Sequence, residues 1–111
     1  MIPILAVVEH NIGKIQSGRL VLPDYSDTFN CASLVRLICD IPDEGLPLSM
    51  QLSDCVERPV QYAKFGDVVF DKKFGHCGIC VGYPYIMHYT STGLHTDSYI
   101  YNFAGGYAYG S

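Results

Sequence analysis

The chain has 111 residues, a length that fits one domain with a modest core, and we treat residues 1–111 as that domain. Hydrophobic residues make up 49% and charged residues 16%, a balance typical of a globular chain and not of a disordered one. The formal net charge of −4 offers no basic surface for nucleic acid, and no Lys/Arg-rich segment favours a membrane surface. We therefore expect neither nucleic acid nor membrane as a partner.

The N-terminal segment predicts a first helix over Ile4–Gln16, ended by Ser17 and Gly18. Its apolar side comprises Leu5, Val8, Ile12 and Ile15. The segment lacks the basic start of a secretory signal, and Glu9 interrupts its apolar run. No stretch reaches the length needed to span a bilayer. We expect a protein made in the cytoplasm without an export signal.

Five cysteines occupy positions 31, 39, 55, 77 and 80. Without a secretory signal, such a set indicates reduced thiols and not a disulfide framework. The thiols are thus available for other chemistry.

The second predicted helix begins at Cys31, after a loop over residues 19–29. Its buried side comprises Leu34, Val35, Leu37 and Ile38. Asn30 or Thr28 can serve as N-cap, and Pro42 ends the helix soon after Asp40. A thiol in the first turn of a helix has a lowered pKa, because free N–H groups and the helix dipole favour an anion. Cys31 is therefore a candidate nucleophile, and the alternative is a small buried apolar residue.

The second half of the chain changes from a helical to a strand-like period. A short helix over Leu48–Val56 is followed by strands at 66–70, 76–81, 85–90 and 94–102, with a further strand at 107–109. Short turns between these strands indicate an antiparallel sheet. Helices first and strands second predict an α+β fold, with N-terminal helices packed on a C-terminal antiparallel sheet of four to five strands.

Two histidines fall on neighbouring strands of this sheet. His76, Gly78 and Cys80 share one face of their strand, and we expect Gly78 to leave room for the Cys31 helix. His88 follows on the next strand, where it becomes a cross-strand neighbour of His76. A thiol, a base and an orienting group form the arrangement of covalent catalysis. In it His76 takes the proton of Cys31 and later protonates the leaving amine, while His88 fixes the His76 tautomer.

Other candidate residues have simpler interpretations. The Cys77-x-x-Cys80 spacing suggests zinc, but the two side chains of such a pair point to opposite faces of a strand. We expect no metal and no cofactor. His10 and His95 have no recognisable partners and are interpreted as surface residues. The many tyrosines of residues 83–109 suit exposed strands, and a groove for glycan or peptide is the alternative.

Four segments resemble motifs of the NlpC superfamily of cell-wall cysteine peptidases. The run from Asn30 to Val35 is similar to its Asp-Cys-Ser-Gly-Leu-Val box, and residues 66–70 to its Gly-Asp-Leu-Val-Phe strand. Residues 76–82 are similar to its His-Val-Gly-Ile-Tyr-Leu-Gly strand, and residues 86–88 to its Ile-His element. The resemblance covers residues 28–90. Asn30 replaces the acidic residue before the cysteine, and Cys77 and Cys80 replace valine and tyrosine.

The resemblance implies a minimal papain-like fold in which Cys31 is the nucleophile, His76 the base and His88 the third polar residue. Tyr25, as the counterpart of an upstream tyrosine, and Asn30 are the expected contributors to substrate or oxyanion binding. The implied reaction is hydrolysis of amide bonds in peptidoglycan stem peptides, typically between D-glutamate and diaminopimelate.

The biological setting follows from the expected lack of an export signal. A bare catalytic domain needs a carrier to the cell wall, and we favour a phage tail component over the alternative, a toxin delivered by a secretion machine. The alternatives are a catalytically silent binding or assembly module of the same fold and a thiol acyltransferase.

Overall fold

The computed structural model describes residues 1–111 and contains four helices, six strands and one 3₁₀ turn. The helices are α1 (Leu5–Gln16), α2 (Cys31–Cys39), α3 (Leu48–Gln51) and α4 (Tyr99–Asn102), and the 3₁₀ turn covers Val60–Tyr62. The strands are β1 (Val56–Pro59), β2 (Val68–Phe70), β3 (Cys77–Gly82), β4 (Tyr85–Thr90), β5 (Gly93–Ser98) and β6 (Tyr107–Gly110). The α+β prediction is confirmed. None of the helices has the length and apolar character required to cross a membrane.

The strands form one antiparallel sheet in the order β1-β6-β2-β3-β4-β5. The sheet has six strands, so the expected number of four to five was too low. The additional strand is β1, which pairs only with β6 and lies at the edge of the sheet. Pro59 is tolerated in β1 because an edge strand has one side without ladder hydrogen bonds.

Two predicted elements end earlier than expected. The helix predicted over Leu48–Val56 stops at Gln51, and the strand predicted over Leu94–Asn102 stops at Ser98. In the second case the chain turns into α4, whose first N–H, that of Tyr99, donates to the carbonyl of Pro84. This turn places Phe103, 1% exposed, under the sheet. Burial of that ring accounts for the change from strand to helix.

Each face of the sheet carries an apolar cluster. Helices α1 and α2 pack on one face, where Cys77, Ile79 and Met87 are buried. A smaller cluster on the other face contains Cys80, Ile86 and Phe103. Cys77 and Cys80 thus lie on opposite faces, as the strand period predicted. The helices approach the Cys77 face and not the Gly78 face, which corrects the expectation that Gly78 admits the Cys31 helix.

The space beside Gly78 is filled by the neighbouring strand. A Cβ atom at this position would lie 2.6 Å from the carbonyl oxygen of Met87 and 3.0 Å from the Cβ of His88. Gly78 therefore allows β4 to approach β3 closely at the point where His88 must lie.

Candidate active site

The start of α2 is fixed by a reciprocal cap that places Cys31 as its first residue. The Asn30 Oδ1 accepts hydrogen bonds from the N–H groups of Ala32 (3.1 Å) and Ser33 (3.4 Å). The Ser33 hydroxyl in turn accepts from the Asn30 N–H at 3.0 Å, which completes a capping box. Of the two predicted caps, Asn30 is the one used. The helix ends at Cys39, with Asp40 in the left-handed conformation (φ 55°).

The Cys31 sulfur is half-buried and lies against Cys77 at the head of β3. A hydrogen bond from the Cys77 thiol is the main factor that lowers the pKa of Cys31 to about 4; burial opposes it, while His76 and the Cys77 backbone reinforce it. The same hydrogen bond, together with burial, raises the pKa of Cys77 well above its ordinary value. At neutral pH Cys31 is therefore a thiolate and Cys77 a thiol that donates to it.

His76 lies directly before β3 and is held from three sides. Its backbone N–H donates to the Asp71 carboxylate at 3.3 Å, and its ring stacks on Phe103 with centroids 5.3 Å apart. Its Nε2 lies 2.9 Å from Nδ1 of His88. Because His88 occupies Nε2, Nδ1 is the His76 nitrogen left for the Cys31 sulfur.

His88 is almost fully buried on β4, and its second nitrogen has a partner of its own. The His88 Nε2 lies 2.9 Å from Oδ2 of Asp97 on β5. Burial lowers the pKa of His88, against the opposing effect of the Asp97 carboxylate. His88 is thus a neutral imidazole at neutral pH.

Asp97 belongs to this group of side chains although no motif in the sequence indicates it. A signal for it existed, because the β4–β5 hairpin pairs His88 with His95 and therefore brings Asp97 diagonally next to His88. Identifying it would have required the register of this hairpin. Its side chain is 42% exposed and reaches solvent.

A cavity of about 210 Å³ opens beside the Cys31 and His76 side chains. Its other lining residues are Ala32, Pro47, Leu48, Ser49, Phe70, Phe74, Gly75 and Cys77. Apart from Cys31 and His76, the only ionisable side chain in the lining is the Cys77 thiol. The cavity can hold a small, mostly apolar part of a substrate against the sulfur.

The two weaker candidates, Tyr25 and Asn30, are not among the residues that line this cavity. Tyr25 is 43% exposed, and its ring packs edgewise on Tyr89 with centroids 5.8 Å apart. The Asn30 amide is used in the helix cap, and its Nδ2 donates to the carbonyl of Asp27 at 3.4 Å. The structure thus gives both residues a packing or capping role.

The remaining histidines differ from one another. His10 is exposed, as expected. His95 lies beside His88 with ring centroids 5.6 Å apart, and its Nε2 is 2.7 Å from the Thr92 hydroxyl. The interpretation of His95 as a residue without partners was therefore wrong. No group of three or more His, Cys, Asp or Glu side chains is arranged to hold a metal ion.

The arrangement can perform nucleophilic catalysis at a carbonyl. A thiol with a lowered pKa lines the same cavity as an imidazole, and a second imidazole lies 2.9 Å from the first. The N–H of Cys31, at the first helical position, has no partner within the helix and is available to an oxyanion.

The sequence matches no protein-family model and no curated protein at a significant level.

Proposed function

We propose that this protein is a cysteine peptidase whose nucleophile is Cys31, whose base is His76 and whose orienting residue is His88. The observation that carries the proposal is that Cys31 and His76 line the same cavity while the His76 ring lies 2.9 Å from the ring of His88. A cysteine kept only for packing has no need of a pKa near 4.

In the proposed reaction the Cys31 thiolate attacks the carbonyl carbon of a substrate amide. The N–H of Cys31 stabilises the oxyanion that forms. His76 gives its Nδ1 proton to the nitrogen of the leaving amine, and the C–N bond breaks to leave a thioester on Cys31. Neutral His76 then removes a proton from water, whose oxygen attacks the thioester and releases the acid and the Cys31 thiolate. His76 ends protonated, as it began.

Peptidoglycan stem peptides are the proposed substrate, with the bond between D-glutamate and diaminopimelate as the proposed point of cleavage. The support is the resemblance of residues 28–90 to the NlpC superfamily, whose papain-like fold we propose for this chain. The cavity beside Cys31 has no cationic side chain besides His76, so carboxylates of such a substrate would lie outside it. A phage tail hydrolase or a delivered toxin, acting at the bacterial cell wall, is the proposed setting.

A thiol acyltransferase is the second candidate, because the cavity walls favour it. Leu48, Phe70 and Phe74 surround the space next to the sulfur, and such a surface suits an apolar acyl group. In that reaction an acceptor hydroxyl or amine replaces water in the second step.

The test is digestion of purified peptidoglycan with the wild type and the Cys31→Ala variant, followed by mass spectrometry of the released fragments. New fragments from the wild type alone are expected, and their masses identify the bond. Cys55→Ala is the matched control, because it removes another half-buried thiol away from the site and should leave the fragments unchanged. No fragments from folded wild type would overturn the wall-hydrolase proposal.

A further inference from the structure

We propose that Asp97 is a positioning residue. It determines which atom donates and which accepts in the hydrogen bonds that connect it, through His88 and His76, to the Cys31 sulfur. It acts through His88 and does not touch the substrate. The inference deepens the proposed function, since it rests on His76 serving as the base for Cys31. Its geometry consists of two contacts of 2.9 Å, Asp97 to His88 and His88 to His76.

The direction of these hydrogen bonds follows from the number of protons that each of the three side chains can carry. An ionised carboxylate can only accept, so His88 must carry its proton on Nε2 to donate to Asp97. A neutral imidazole has one N–H, so Nδ1 of His88 is an acceptor and Nε2 of His76 must donate to it. The His76 nitrogen that exchanges its proton with Cys31 is then Nδ1.

No other group near His88 can impose this direction. The groups that face it are His76 from the head of β3, His95 and Asp97 from β5, and the ring of Phe103. His95 has the Thr92 hydroxyl as its own partner, and Phe103 has no polar atom. Asp97 is the only anion in this set. The hairpin register that pairs His88 with His95 holds the carboxylate in place.

The opposite tautomer of His88 would work against catalysis. If His88 carried its proton on Nδ1, that N–H would point at Nε2 of His76. His76 holds protons on both nitrogens when it is paired with the thiolate, so the two N–H groups would oppose each other. Asp97 therefore stabilises the charged pair of Cys31 and His76 from a distance, by selecting the tautomer of the residue between them.

The test uses the full chain, and its first measurement needs no variant. Long-range ¹H–¹⁵N spectra of the wild type near pH 7.5 should show His88 protonated on Nε2. In Asp97→Asn the amide can donate to Nε2 instead, and we expect a shift of His88 toward the Nδ1–H form. A wild type with His88 protonated on Nδ1 would overturn the proposal, whether or not any variant folds.

The second measurement is the rate at which iodoacetamide alkylates Cys31 as a function of pH, read by peptide mapping. We expect Asp97→Asn to move the profile to higher pH and to slow alkylation near pH 5 by about two- to tenfold, the effect of one weakened charge-assisted hydrogen bond. Thr96→Asn is the matched control, because Thr96 is exposed on the same strand and its side chain points to the opposite face. If Asp97 had only a structural role, Asp97→Asn would lower the stability of the protein without moving the pH profile of alkylation.

An Asp97→Asn variant that keeps the wild-type tautomer and alkylates within twofold of the wild-type rate would overturn the proposal. Neither readout uses peptidoglycan. A failed digestion alongside a positive tautomer result would thus refute the substrate and leave the role of Asp97 standing.

Discussion

Replacing Cys77 with valine should raise the pKa of Cys31, because it removes the thiol that donates to the sulfur. The pKa of Cys31 is lowered from 9.0 to about 4, and this hydrogen bond is the largest cause. Hydrogen bonds to charged groups contribute about 1.5–3 kcal/mol, which corresponds to about 1–2 pKa units. We therefore expect a pKa of about 5–6 for Cys31 in Cys77→Val. Valine fills nearly the same volume, so the buried position should accept it.

Alkylation with iodoacetamide at pH 5 measures this shift directly. A pKa change from about 4 to about 5–6 lowers the thiolate fraction at pH 5 roughly two- to tenfold. The assay is selective, because burial raises the pKa of Cys39 to about 12 and also raises the pKa values of Cys55 and Cys80. Cys77→Ser keeps a donor and should stay close to the wild type. If Cys77→Val alkylates at the wild-type rate, the sulfur–sulfur hydrogen bond does not stabilise the thiolate.

Three further changes test how the site is held. Asn30→Ala removes the cap of α2 and should cost about 1 kcal/mol in urea unfolding, with an unchanged midpoint as the contrary result. Gly78→Ala brings a Cβ to 2.6 Å from the Met87 carbonyl oxygen and should cost about 2 kcal/mol or more, whereas Gly13→Ala, with open space, should not destabilise. Because burial lowers the pKa of His88, the unfolded chain binds its proton first as pH falls below about 6.5, so stability should drop there. Unfolding free energies at pH 7.5 and 5.5 measure this loss. The His88→Gln variant should lose less stability between these two pH values, because it lacks the group that titrates.

Local patterns were sufficient to predict the helix that carries Cys31 and the strands that carry His76 and His88. Apolar spacing at periods of 3.6 and 2 specifies such elements, and short turns specify which strands are neighbours. Strand β4 has the predicted bounds, Tyr85–Thr90. Cys31 and His76 lie close together because each is at the start of its element, and His76 meets His88 because their strands are neighbours.

Features that depend on distant pairing or exact register could not be predicted in this way. Strand β1 forms because it pairs with β6, and no local pattern near Val56–Pro59 indicates that pairing. Predicting the contact of Asp97 with His88 requires the register of the β4–β5 hairpin. Predicting the donor role of Cys77 requires knowledge of which face of β3 the helix covers. The assignment of that face to His76 and Gly78 was wrong because period alone does not say which side of a strand is covered.

The position of β6 between β1 and β2 predicts an order of folding. Strands β2 to β5 form a local meander, so the segments that carry His76 and His88 can assemble from nearby contacts. Strand β1 has to wait for a loop closure across nearly half of the chain before Val56 meets Gly110. Phe74, in the wall of the cavity beside Cys31, stacks on Tyr107 of β6 with centroids 5.6 Å apart. The two imidazoles can thus come together early, while the wall of the cavity beside Cys31 is completed only when β6 docks.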